Sequence, residues 1–119
     1  MNKDKTCKER VAGAYKSRMY DIKKLYKAGY GVEVPNIGKL EEYGLCIDYV
    51  ERGTWSKKWE PKSEPYWRYQ LSWGGPSEEF RLYDSGKIEF WFLDWGDGAF
   101  KVATGKDAEI ITNIINNAR

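Results

Sequence analysis

The carboxylates Glu78, Glu79 and Asp94 come nearest in type and spacing to catalytic chemistry, because paired acids serve glycoside hydrolysis and metal-dependent nuclease reactions. Little else supports an enzyme. The 119 residues contain no histidine, which removes Ser-His and Cys-His nucleophile pairs, imidazole bases and imidazole metal ligands together. Cys7 and Cys46 lie far apart and form no C-x-x-C pair, so they do not supply a zinc site by themselves. The N-terminal MNKDKTCKER has no apolar signal-like core, and the two cysteines read as reduced thiols of a cytoplasmic protein. Gly74-Gly75 presents backbone N–H groups of the kind that receive anions, but no lysine follows at Walker spacing. No catalytic residue, metal or cofactor is therefore expected.

Binding chemistry is better represented. In Leu71-Ser-Trp-Gly-Gly-Pro-Ser-Glu-Glu-Phe80, either Trp73 packs over a glycine turn, or the loop presents Trp73, Ser77 and Glu78 to a partner. Asp94, on the Phe90 and Phe92 side of its strand, has a structural reading too, as a carboxylate hydrogen-bonded to the Gly74–Ser77 turn. Charge is unevenly placed. Residues 1–30 carry nine Lys/Arg against three Asp/Glu, whereas residues 74–99 carry two against six. The acidic stretch, with Glu78, Glu79, Asp84, Asp94 and Asp97 beside Trp73, Trp91 and Trp95, is a candidate protein-binding surface, since aromatic anchors carry much interface energy. On that reading, charge reversal at Glu78 and Glu79 weakens binding and spares the fold. The alternative is nucleic-acid attraction by Lys5, Lys16, Lys23, Lys24 and Lys27, which suits point-charge contact rather than base reading. Base stacking on the sheet aromatics fits poorly with so acidic a region, and a core role suits them better.

The elements that must position these residues follow from periodicity. Val11, Tyr15, Met19, Ile22 and Tyr26 mark one face of a helix over 4–28, stopped by Gly29. Between 30 and 42, Asn36 is a candidate cap for a short turn through Lys39–Glu42, although a plain loop fits as well. Period-two alternation then predicts strands over Tyr43–Val50, Tyr66–Trp73, Glu78–Tyr83, Lys87–Trp95 and Ala99–Ala103, with an exposed loop over Arg52–Pro65. Lys87–Trp95 is apolar on both faces, which suits an interior strand. Thr104 and Asp107 resemble a capping box before a second amphipathic helix over 105–118. With 16% aromatic residues and one domain's length, 1–119 is expected to form a single α+β domain. Its antiparallel meander sheet of four to five strands is sandwiched in sequence by the two helices, which pack on one face. No apolar run is long enough for a membrane span.

The Trp73-Gly-Gly-Pro-Ser-Glu-Glu-Phe80 turn and the Trp91-Phe-Leu-Asp-Trp95 strand, within residues 43–99, resemble those of small uncharacterised proteins carried on plasmids, integrative elements and phages. The resemblance implies a mobile-element accessory protein. Such proteins often inhibit host defence, so the implied partner is a restriction nuclease or CRISPR effector bound by protein–protein contact.

Overall fold

The computed structural model describes residues 5–51 and 64–119; the loop expected over Arg52–Pro65 lies, at 52–63, outside the described residues. Helix α1 spans Cys7–Ala28 and buries Val11, Tyr15, Met19, Ile22 and Leu25 in one stripe. Thr6 caps it: the Thr6 side chain accepts from the Glu9 N–H, and the Glu9 carboxylate accepts from the Thr6 N–H at 2.9 Å. Both bonds satisfy amides that a helix start leaves without partners. Thr6→Ala is expected to cost about 1 kcal/mol in urea unfolding; an unchanged midpoint would mean that the cap contributes nothing.

Strands β1 (Cys46–Val50), β2 (Tyr66–Ser72), β3 (Ser77–Tyr83), β4 (Ile88–Asp94) and β5 (Asp97–Ala103) form one antiparallel sheet in chain order. The α+β meander expected from the sequence is the observed fold. Helix α3 (Gly105–Ala118) buries Ile110, Ile111, Ile114 and Ile115, and that burial outweighs the strand preference of β-branched residues. Both helices pack on the face carrying Tyr69, Phe80, Leu82, Ile88, Phe90 and Phe92. The Tyr15 ring meets Phe80 and Phe90 edge-on at 6.3 and 5.7 Å, a favoured aromatic geometry.

Several local expectations are corrected. Tyr43 belongs to a one-turn helix, α2 (Leu40–Tyr43), so β1 begins only at Cys46. Asn36 caps nothing; it takes a left-handed φ of 70° in the turn closed by the Val34–Gly38 bridge. β2 stops at Ser72 because a bulge between Gln70 and Ser72 inserts one residue, and the shifted phase leaves Trp73 outside the ladder. β4 ends at Asp94, since Trp95 and Gly96 take φ of 52° and 72° and make the two-residue turn into Asp97. Positive φ at both central residues gives such a turn the twist that a tight hairpin needs. Thr104 makes no side-chain cap bond. Asp107 instead accepts from the Tyr15 hydroxyl and pairs with Lys23 at 2.8 Å, tying α3 to α1.

Candidate functional site

Ser77 pairs with Leu93 in the β3–β4 ladder, so the β2–β3 and β4–β5 turns sit side by side at one end of the sheet. Each turn carries a tryptophan in solvent: Trp73 is 75% exposed and Trp95 92%. The first turn is pinned by its own polar groups. The Ser72 hydroxyl donates to the Pro76 carbonyl at 3.1 Å, and the Gly74 N–H donates to Ser77 Oγ at 3.2 Å. Gly74 holds a φ of 115°, and the Gly75–Pro76 peptide is cis. Ser77 is itself buried, so it braces the loop instead of facing a partner.

The start of α1 underpins the second turn. Arg10 Nη1 donates to Asp94 Oδ2 at 2.6 Å, and its guanidinium lies 4.6 Å over the Phe92 ring. The Cys7 N–H donates to Asp97 Oδ2 at 3.0 Å, which sets a carboxylate at the positive end of a 22-residue helix. That backbone bond holds the Asp97 carboxyl below its ordinary value of 3.8. A carboxyl with a depressed folded pKa adds stability above its unfolded pKa and loses it as pH falls through the folded value. The Cys7 amide resonance should therefore follow a titration whose midpoint lies below 3.8 in wild type and vanishes in Asp97→Asn. A midpoint at or above 3.8 would contradict the contact.

The acids predicted to share a surface are dispersed. Glu78 faces the helices, where Arg18 grips it through Nε at 3.0 Å and Nη2 at 3.3 Å; Arg18 also donates to the Tyr43 hydroxyl, which donates to Asp21. Glu79 points to the other face and is only 3% exposed, with Arg81 Nε donating to it at 2.7 Å. Asp84 lies in the exposed turn at the far end of the sheet. Trp91 is buried on the face opposite α1 and α3, stacked on Phe100 at 4.9 Å and donating from Nε1 to Glu89. Glu78 and Glu79 are therefore unsuitable for charge reversal as surface probes, because a cation at either would face a guanidinium. The bond foreseen between Asp94 and the Gly74–Ser77 turn is replaced by the Arg10 bridge, and its Oδ1 rests beside Gly75.

The carboxylates Glu78 and Asp94 are thus committed to guanidinium groups of α1, and among the described residues no cluster of His, Cys, Asp or Glu is placed to hold a metal ion. The chain matches no family model, no curated protein and no solved structure. What the sheet end supplies is two large amphipathic rings on braced turns, an arrangement suited to burying apolar area against another macromolecule.

The lysines of α1 present a separate surface. Lys5, Lys16, Lys23, Lys24 and Lys27 are all exposed, but Lys23 is engaged with Asp107. Tyr20, 60% exposed, stands among them with Lys24 Nζ 4.4 Å from its ring centroid. The sequence pattern alone does not mark Tyr20, Arg10 and Arg18 as site residues. For the arginines the signal is positional: Arg10 and Arg18 each immediately precede a buried member of the α1 stripe, Val11 and Met19, where a long side chain reaches the turn-bearing end of the sheet. No helix among the described residues is long and apolar enough to cross a membrane.

Proposed function

We propose that this chain is a non-enzymatic binding protein that docks on a partner protein through the Trp73–Trp95 end of its sheet. The exposure of both indoles on adjacent turns carries this reading, because tryptophan is the residue type most enriched among interface hot spots. Preformed turns also lower the ordering cost of association. With Glu78, Asp94 and Asp97 held by internal partners, recognition rests on the rings more than on an acidic field. The resemblance to mobile-element accessory proteins makes a cytoplasmic host defence nuclease or CRISPR effector the partner class to test first. The test is capture of that partner by wild type and its loss on alanine substitution at Trp73 and Trp95.

A second reading uses the α1 surface to hold nucleic acid. Lys16, Lys24 and Lys27 make no ion pair among the described residues, and Tyr20 adds a ring for stacking. Alanine at Lys16, Lys24 and Lys27 would then flatten the dependence of affinity on salt, by about 0.7–0.9 in log–log slope for each phosphate that the helix no longer neutralises. Salt-insensitive binding in wild type would end this reading.

A further inference from the structure

Among the described residues the sheet ends on β1 at one side and β5 at the other. An edge strand leaves alternate backbone N–H and C=O groups without a ladder partner, ready for another strand. β5 carries Lys101 within it, and an edge lysine discourages such pairing. β1 lacks that guard. Its one charge, Asp48, is held across the ladder by Arg68 at 3.0 and 2.7 Å, and Cys46, Ile47, Tyr49 and Val50 make up the rest. A pocket of about 270 Å³ opens beside the start of this strand, walled by Leu40, Leu45, Ile47, Ile114 and Ala118. Its rim reaches solvent, because Leu45 is 60% exposed and Glu41, Cys46 and Ala118 are exposed as well. The rim is also electronegative. Glu41 is its charged side chain, the carbonyl end of α3 adds partial negative charge, and Arg119 is drawn off to the Trp67 ring at 4.9 Å.

We propose that β1 takes up an extended, basic peptide segment as an added strand, seating one aliphatic side chain in the pocket and a lysine beside Glu41. The site shares no residue with the tryptophan-bearing turns, so it is a second surface, separate from the docking end proposed above. In strand additions the main-chain bonds to the edge supply affinity. A pocket on one face supplies selectivity, because alternate side chains of the added strand point the same way. A cavity of roughly 150 Å³ holds benzene, so this one has room for a leucine side chain. A second copy of this chain is a poorer occupant. Pairing β1 with itself about a two-fold axis sets Asp48 opposite Asp48, and like charges directly opposed are destabilising.

The end-blocked peptide Lys-Thr-Leu-Thr-Lys places its leucine and both lysines on one face of a strand. Titrated into the full chain, it should give saturable backbone amide shifts at Leu45, Ile47 and Tyr49 with a dissociation constant of about 1 mM or lower. Serine in place of the leucine should weaken binding at least about tenfold. Glutamate in place of both lysines should weaken it at least about threefold. Methylating peptide nitrogens separates strand addition from pocket filling, since only alternate N–H groups of the added strand face β1. Methylation of either the leucine nitrogen or the two threonine nitrogens should abolish binding, and the other pattern should leave it within about threefold. At about ten times the dissociation constant, hydrogen exchange of the outward β1 amides should slow roughly tenfold. Absence of saturable shifts at these amides, equal binding of the serine or glutamate peptide, or the same affinity for both methylated forms would each overturn the assignment. So would β1 amides that are uniformly protected in the free chain, or that shift with protein concentration alone, because the edge would then already be filled.

Discussion

Arg81→Ala is expected to lower stability by about 3–5 kcal/mol, the largest single loss foreseen for a side chain outside the apolar core. Arg81 is 4% exposed on the face opposite α1 and α3, bonded to an equally buried Glu79, with its guanidinium 4.8 Å from the Tyr66 ring centroid and 4.4 Å from that of Trp91. Across β1–β4 the row through Arg81 reads Asp48, Arg68, Arg81 and Glu89, two guanidinium groups flanked by carboxylates. Asp48 pairs with Arg68 across β1 and β2, and Glu89 accepts from the Tyr83 hydroxyl and from Trp91 Nε1 and pairs with Lys87. Truncating Arg81 leaves the Glu79 carboxylate in a buried position without its guanidinium and removes two cation–π contacts. For a domain whose total stability is on the order of 5–15 kcal/mol, the melting temperature should fall by roughly 10–20 °C. The double change Glu79→Met with Arg81→Met should cost less than Arg81→Ala, since replacing both ions by apolar groups spares the uncompensated charge. Urea unfolding of the three proteins measures this. A loss below about 1 kcal/mol in Arg81→Ala would show that Glu79 is not relying on the pair.

Alanine at both Trp73 and Trp95 is expected to have the opposite profile. Neither ring belongs to the core cluster, so the unfolding midpoint should stay within about 0.5 kcal/mol of wild type. Binding to the partner should fall by at least about 30-fold, the equivalent of one hot spot of 2 kcal/mol. Single substitutions show whether the two rings act as a unit, because hot-spot losses are not additive. Retained affinity with retained fold would remove the sheet end from the interface.

Strand order, helix placement and the mostly apolar face of the sheet were legible because alternation and 3.6-residue periods report directly on which side of an element is buried. Tyr15, Phe80, Phe90 and Ile111 lie in the core their spacing implies. Where the chain changes phase, local pattern misleads. The bulge at Gln70–Ser72 turns Trp73 out of a face to which simple alternation assigned it, and the positive φ of Trp95 does the same two hairpins later. The charged residues were harder still. Glu78 and Glu79 are neighbours in sequence but lie on opposite faces, and each finds its guanidinium in a way that no spacing rule specifies: Arg18 is 60 residues away, Arg81 only two. An acidic composition therefore did not translate into an acidic surface. The exposed lysine face of α1, in contrast, followed from the helical period.

Protein binding by the tryptophan-bearing end of the sheet is decided by affinity capture from a nuclease-treated host lysate using three baits: wild type, Trp73→Ala with Trp95→Ala, and alanine at Lys16, Lys24 and Lys27. The captured proteins are then quantified by mass spectrometry. A discrete host defence protein should be held by wild type and by the lysine variant, and be absent from the tryptophan variant. Equal capture by the tryptophan variant, or material that disappears with nuclease and with the lysine substitutions, would contradict binding by that end.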